Sequence, residues 1–100
     1  MKQPKPLIPG TVSRWLGAAG FACWASHYDQ DGYLTGPWSA GVVHVVHVTV
    51  ADRPAGPPPE AELVMLARYA AALAAKGCAC TIRVYSDSAS LCVQRGSDAP

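Results

Sequence analysis

The chain has 100 residues, of which 50% are apolar and 15% charged, and its formal net charge is +1. That size and balance describe one globular domain with a modest core; they exclude a disordered chain and a strongly basic or acidic binder. No apolar run approaches the roughly eighteen residues needed to cross a bilayer, and the opening MKQPKPLIPG has no signal-like segment, so the expected location is the cytoplasm, with the four cysteines reduced.

Residues 1–10 carry Pro4, Pro6 and Pro9 and read as a flexible arm. Thr11 offers an N-cap, VSRWLGAA makes two helical turns, and Gly20 is placed to end them. FACWASHY, Phe21 to Tyr28, alternates and is rich in aromatics, so it reads as a strand. Asp29 to Gly32 signals a turn. Tyr33 to Gly41 holds Pro37 among glycines and fits either a loop or a short, bulged edge strand. Val42 to Val50 has six valines in nine residues and is the clearest strand.

DRPAGPPP, Asp52 to Pro59, cannot be regular structure. A helix is expected over residues 59–76. Glu60 and Glu62 suit its positive end, Leu63, Leu66, Ala70 and Leu73 form one apolar stripe, and Lys76-Gly77 close it. Cys78 to Ser86 and Ala89 to Arg95 alternate and read as a hairpin turning at Asp87-Ser88, with Val84 opposite Leu91 and Ile82 opposite Val93. Those four residues make its dry face; Thr81, Arg83, Tyr85, Ser90, Cys92 and Gln94 make its wet one. Residues 96–100 read as a flexible tail. The expected fold is a single α+β domain over 11–95, in the order helix, strand, strand, helix, strand, strand, with an antiparallel sheet and both helices on one face.

The segment GVVHVVHVTV raises the question of a metal site. A strand sends side chains alternately to opposite faces, so His44 and His47 part company. His44 goes with Val42, Val46, Val48 and Val50 and is expected towards the core; His47 goes with Val43, Val45 and Thr49 and is expected towards solvent. Cys78 and Cys80 share a strand face and are the only plausible start of a metal site. Structural zinc needs four donors in a paired spacing that the chain lacks, so no metal or other cofactor is expected. Cys23, His27 and Asp29 or Asp31 supply the residue types of a nucleophilic site, yet four residues of strand separate Cys23 from His27 by about 13 Å. No phosphate loop or nucleophile elbow is present. The expected protein is therefore not an enzyme.

Trp15 is read as core, whereas Trp24 shares a strand face with Ser26 and Tyr28. Trp24, Tyr28, Arg83 and Tyr85 are together the candidate interaction surface. The leading expectation is an interaction module that binds another protein, or itself as a homodimer. One alternative is a nucleic-acid-binding domain adding Lys2, Lys5 and Arg14 to those four; another is a zinc-stabilised domain using Cys78, Cys80 and a histidine.

The segments SRWLGAAGF and EAELVMLARYAAALAAKGC, separated by alternating sequence, resemble small α/β proteins of actinobacteria and their phages. Those proteins have a short helix ending in AAGF, strands, a second helix and a final hairpin. The resemblance implies a small phage or prophage accessory protein. It carries over no site residue, because those proteins have no assigned chemistry.

Overall fold

The computed structural model of the protein describes residues 6–24, 30–50 and 55–96. Its elements run α1 (Pro9–Ala18), β1 (Gly32–Ser39), β2 (Val42–Val48), α2 (Glu60–Ala74), β3 (Cys78–Val84) and β4 (Ala89–Arg95). The four strands form one antiparallel sheet in the order β1-β2-β4-β3. Both helices pack on the same face of it. The fold is the α+β sandwich expected from the sequence, but its first strand is not the expected one.

Phe21 to Trp24 contribute only an isolated bridge, Cys23 to Tyr33, and residues 25–28 lie outside the described residues. The strand falls instead on the Pro- and Gly-containing segment. It is an edge strand, with its register slipping between Pro37 and Ser39. Pro37 is tolerated there because an edge strand need not donate on its outer side. Gly32 is required at the strand's start. A Cβ on it would lie 2.6 Å from the Ala22 carbonyl oxygen and 2.7 Å from the Trp24 nitrogen, so the 22–24 segment can cross only over a bare backbone.

α1 begins earlier than Thr11 would have it. Ile8 is the N-cap and Pro9 the first helical residue, a place where a fixed φ and a missing N–H cost nothing. Leu7 is buried, so the chain joins the core ahead of residue 11. At the other end Gly20 takes φ +97°, and the Phe21 and Gly20 N–H groups donate to the Leu16 and Gly17 carbonyls. This paired closure is the Schellman arrangement, and it needs a residue at ease with positive φ. α2 lies within the expected range, its buried stripe being Glu62, Leu66, Tyr69 and Leu73.

The final hairpin turns at Ser86-Asp87, not Asp87-Ser88, because the Tyr85 N–H donates to the Ser88 carbonyl at 2.7 Å. Ile82 therefore faces Leu91, and Val84 faces Ala89. Moving the turn by one residue slips the register by two, which leaves every side chain on its expected face. β4 sits in the middle of the sheet and is buried on both faces through Val93. The core is built from Val12 and Leu16 of α1, Leu66, Tyr69 and Leu73 of α2, and Val43, Val45, Leu91 and Val93 of the central strands.

Candidate functional site

The two histidines of β2 end on opposite faces, with their expected destinations exchanged. Val43 and Val45 are fully buried beneath the helices, and His47 shares their face. His44 projects to the open face of the sheet. The apolar count favoured the wrong face, because Val42, Val46 and Val48 on the open side are only half-buried.

On the helix side the Tyr69 hydroxyl and His47 Nδ1 are 2.7 Å apart. Burial holds the Tyr69 hydroxyl up at about 12, with lesser contributions from Tyr33 and Asp31. Burial also lowers the affinity of His47 for a proton, against the opposite pull of the Asp31 and Glu62 carboxylates. With the phenol protonated and the imidazole neutral the bond forms in either of two ways: Tyr69 donates to Nδ1 with the ring proton on Nε2, or it accepts from Nδ1–H. His47 and Tyr69 line an open cleft of about 800 Å³ whose walls include Phe21, Met65 and Arg68. Phe21 meets the Tyr69 ring edge-on, at 4.9 Å between centroids. Tyr33, 6.1 Å from Tyr69, turns its hydroxyl away to donate to the Ser13 carbonyl at 2.8 Å. The cleft can hold a small body against Phe21 and Met65 and meet its polar atoms with His47 and Arg68.

The open face has a different construction. Trp38 comes from the β1 edge and Arg83 from β3 at the other edge. They meet over the middle of the sheet, the guanidinium carbon 5.9 Å from the indole centroid. His44 lies beneath, 5.6 Å from Trp38 between ring centroids, and directly opposite Gly36 on one side and Cys92 on the other. The imidazole lies close over Gly36, where a Cβ would just touch its ring at 3.4 Å. Beneath this roof His44 Nδ1 and Ser90 Oγ are buried without a hydrogen-bond partner. A hollow of about 230 Å³ between Trp38, Thr81, Arg83 and Gln94 opens beside them.

Of the surface expected from the sequence, Arg83 and Tyr85 are exposed at the end of β3. Trp24 is half-buried beside the start of β1, on the far edge of the sheet from them, and Tyr28 lies outside the described residues. The structure thus pairs Arg83 with Trp38, not Trp24. The alternation of β1 could have identified Trp38, had the edge-strand alternative for that segment been followed through. Tyr69 gave no signal, since it lies outside the stripe of Leu63, Leu66, Ala70 and Leu73 that the spacing picks out, although it is buried.

Cys78 and Cys80 face the helices, where burial raises both thiols, Cys80 to about 11. Neither is readily available as a thiolate ligand or nucleophile. Among the described residues no three His, Cys, Asp or Glu side chains gather as a metal site requires. Asp31 accepts the Val50 N–H at 2.8 Å, while His27 and Asp29 are outside the described residues. Arg14 is exposed on α1, in the helix layer, so it shares no face with Arg83; Lys2 and Lys5 are not among the described residues. Among the described residues no helix is long and apolar enough to cross a membrane. Compared with known proteins, the chain matches no family model, no curated protein and no solved structure.

Proposed function

We propose that the protein is a non-enzymatic interaction module that binds another protein through the open face of its sheet, with Trp38 and Arg83 as the contact pair. One observation carries this reading. Trp38 is 49% exposed, yet its ring is held between Arg83 and His44. A large aromatic side chain fixed in place while still half in water loses little entropy on binding, and such residues dominate interface energetics. The partner it fits presents an apolar side chain to the indole and a carboxylate to Arg83. An accessory role in a phage or prophage, as the resemblance implies, belongs to this reading.

The test is affinity capture from a host extract with four baits: the native chain, Trp38→Ala, Arg83→Glu and Val64→Ala. The last alters an exposed residue of α2. The reading expects a protein held by the native and Val64→Ala chains and lost by the other two. Capture indifferent to Trp38 and Arg83 overturns it.

A second reading rests on the His47–Tyr69 pair. The cleft would take a small ligand, largely apolar, with one polar atom to hydrogen-bond His47 Nε2. A small-molecule screen by amide chemical shifts tests it: hits that bind the native chain and His47→Ala equally would remove it.

A further inference from the structure

The two edges of the sheet are chemically unequal. In an antiparallel sheet alternate residues of an edge strand turn their N–H and C=O groups outward. On β1 the outward residues include Tyr33 and Pro37. The Tyr33 N–H already donates to the Ala22 carbonyl, and its carbonyl accepts from the Trp24 N–H. Pro37 has no N–H, and the strand bulges just beyond it. Each of these is a recognised way of blunting an edge against further pairing.

β3 has none of them. The bond from Tyr85 to Ser88 fixes the phase of the β3–β4 ladder. Arg83, Thr81 and Ala79 then turn inward to β4, and Cys78, Cys80, Ile82 and Val84 turn outward. Among the described residues no backbone group takes up these outward groups. Burial of the side chains on the helix face also fades along this strand, from buried Cys78 through half-buried Cys80 to Ile82 at 36% and Val84 at 58% exposed. α2 covers one end of β3 and leaves the other bare.

We infer that β3 pairs antiparallel with β3 of a second copy about a two-fold axis through Thr81, joining two sheets into one of eight strands. This goes beyond the open-face reading and does not depend on it. Centred on Thr81, the full length of the strand is used: Val84 falls opposite Cys78 of the partner subunit and Ile82 opposite Cys80 of the partner subunit. Every outward N–H and C=O then finds a partner, and the bare end of each strand lies along the covered end of the other. Arg83 falls opposite Ala79 of the partner subunit, whereas an axis through Arg83 would set two guanidinium groups face to face, at a cost. The symmetry is isologous and closes at two copies. A strand of seven residues is about 24 Å long. With a sandwich wall some 15–20 Å high beside it, the pairing covers on the order of 800 Å² in total, below the roughly 1,200 Å² of standard interfaces. The dimer is therefore a dissociable one, with a Kd on the order of micromolar.

Sedimentation equilibrium of the full chain under reducing conditions, from about 1 to several hundred micromolar, tests the pairing. The expected result is a monomer–dimer equilibrium. Its Kd should rise at least about tenfold in Val84→Lys and in Ile82→Pro, which removes an outward N–H without touching the bonds to β4. It should be unchanged in Trp38→Ala. In a Cys92→Ser background, Thr81→Cys places a thiol on the axis and should give a disulfide-linked dimer on mild oxidation. A chain monomeric at every concentration overturns the inference. So does a dimer insensitive to Val84→Lys and Ile82→Pro, and so does one dissolved by Trp38→Ala, which would put the contact on the open face.

Discussion

His44 and His47 are the same residue type, three positions apart on one strand, and they live in different chemistry. His47 sits under the helices with its Nδ1 bonded to a buried phenol. His44 sits on the open face with its Nδ1 buried and unpartnered beneath Trp38. A polar atom enclosed without a hydrogen bond carries its desolvation cost uncompensated, and a bonded one does not. The fold relies on His47, whereas on the open face it tolerates His44. Burial alone does not predict which polar residue a protein depends on; the partner does.

The largest expected effect comes from removing that partner. Tyr69→Phe keeps the ring in the core but strips the hydrogen-bond partner from His47, and should cost about 1–3 kcal/mol in chemical denaturation. If it costs nothing, the hydrogen bond does not distinguish the two histidines. The next effect is of pH. Burial lowers the pKa of His47 in the folded chain, so the unfolded chain takes up the proton first as pH falls below about 6.5. Wherever the unfolded state binds more protons, stability rises with pH. The contribution is whole above pH ~6.5 and is lost on acidification towards the folded pKa. Denaturation midpoints measured across that window should slope in the native chain and flatten in His47→Gln; parallel slopes would sink the assignment. On the other face, His44→Leu removes an orphaned atom and should leave stability unchanged or raise it by up to about 1 kcal/mol. A loss comparable to that of Tyr69→Phe would mean that His44 is the structural histidine after all. An effect of no greater size is expected from Gly36→Ala. Its methyl would just reach the His44 ring, and the stiffer unfolded chain should add about 0.4–1 kcal/mol to the melting free energy.

How much of this the sequence revealed varied with the kind of signal. α2 was legible because Leu63, Leu66, Ala70 and Leu73 repeat at helical spacing, and periodicity reflects a face. The hairpin faces were legible even though its turn was placed one residue late, since a two-residue slip preserves them. β1 was legible only as one of two alternatives: Pro37 and the glycines left a loop or a bulged edge strand open, and the structure takes the edge strand, whose free side accommodates the proline. Phe21 to Trp24 looked like a strand by composition, but they run beside β1 and bond to it only around Tyr33. The exchange of His44 and His47 was illegible for a further reason. Which face of a two-sided strand meets the helices is decided by α1 and α2, and nothing local to GVVHVVHVTV records it. Trp38 and Arg83 lie far apart in sequence, and only the strand order brings them over the same ground.

The strand order also governs when this chain can fold. β4 is the latest of the four strands in sequence and lies between the others, joining β2 to β3. Until Ala89 to Arg95 arrive, β1 and β2 form an isolated hairpin, and β3 has no neighbour at all. Leu91 and Val93, which fill the centre, are missing for as long. The pairing of β2 with β4 spans roughly half the chain, and contacts that distant in sequence slow folding. A nascent chain emerging from the ribosome therefore exposes Val43 and Val45 on the inner side of β2, both fully buried in the finished fold, throughout the synthesis of α2 and β3. The core of this fold is therefore complete only when its last strand is in place.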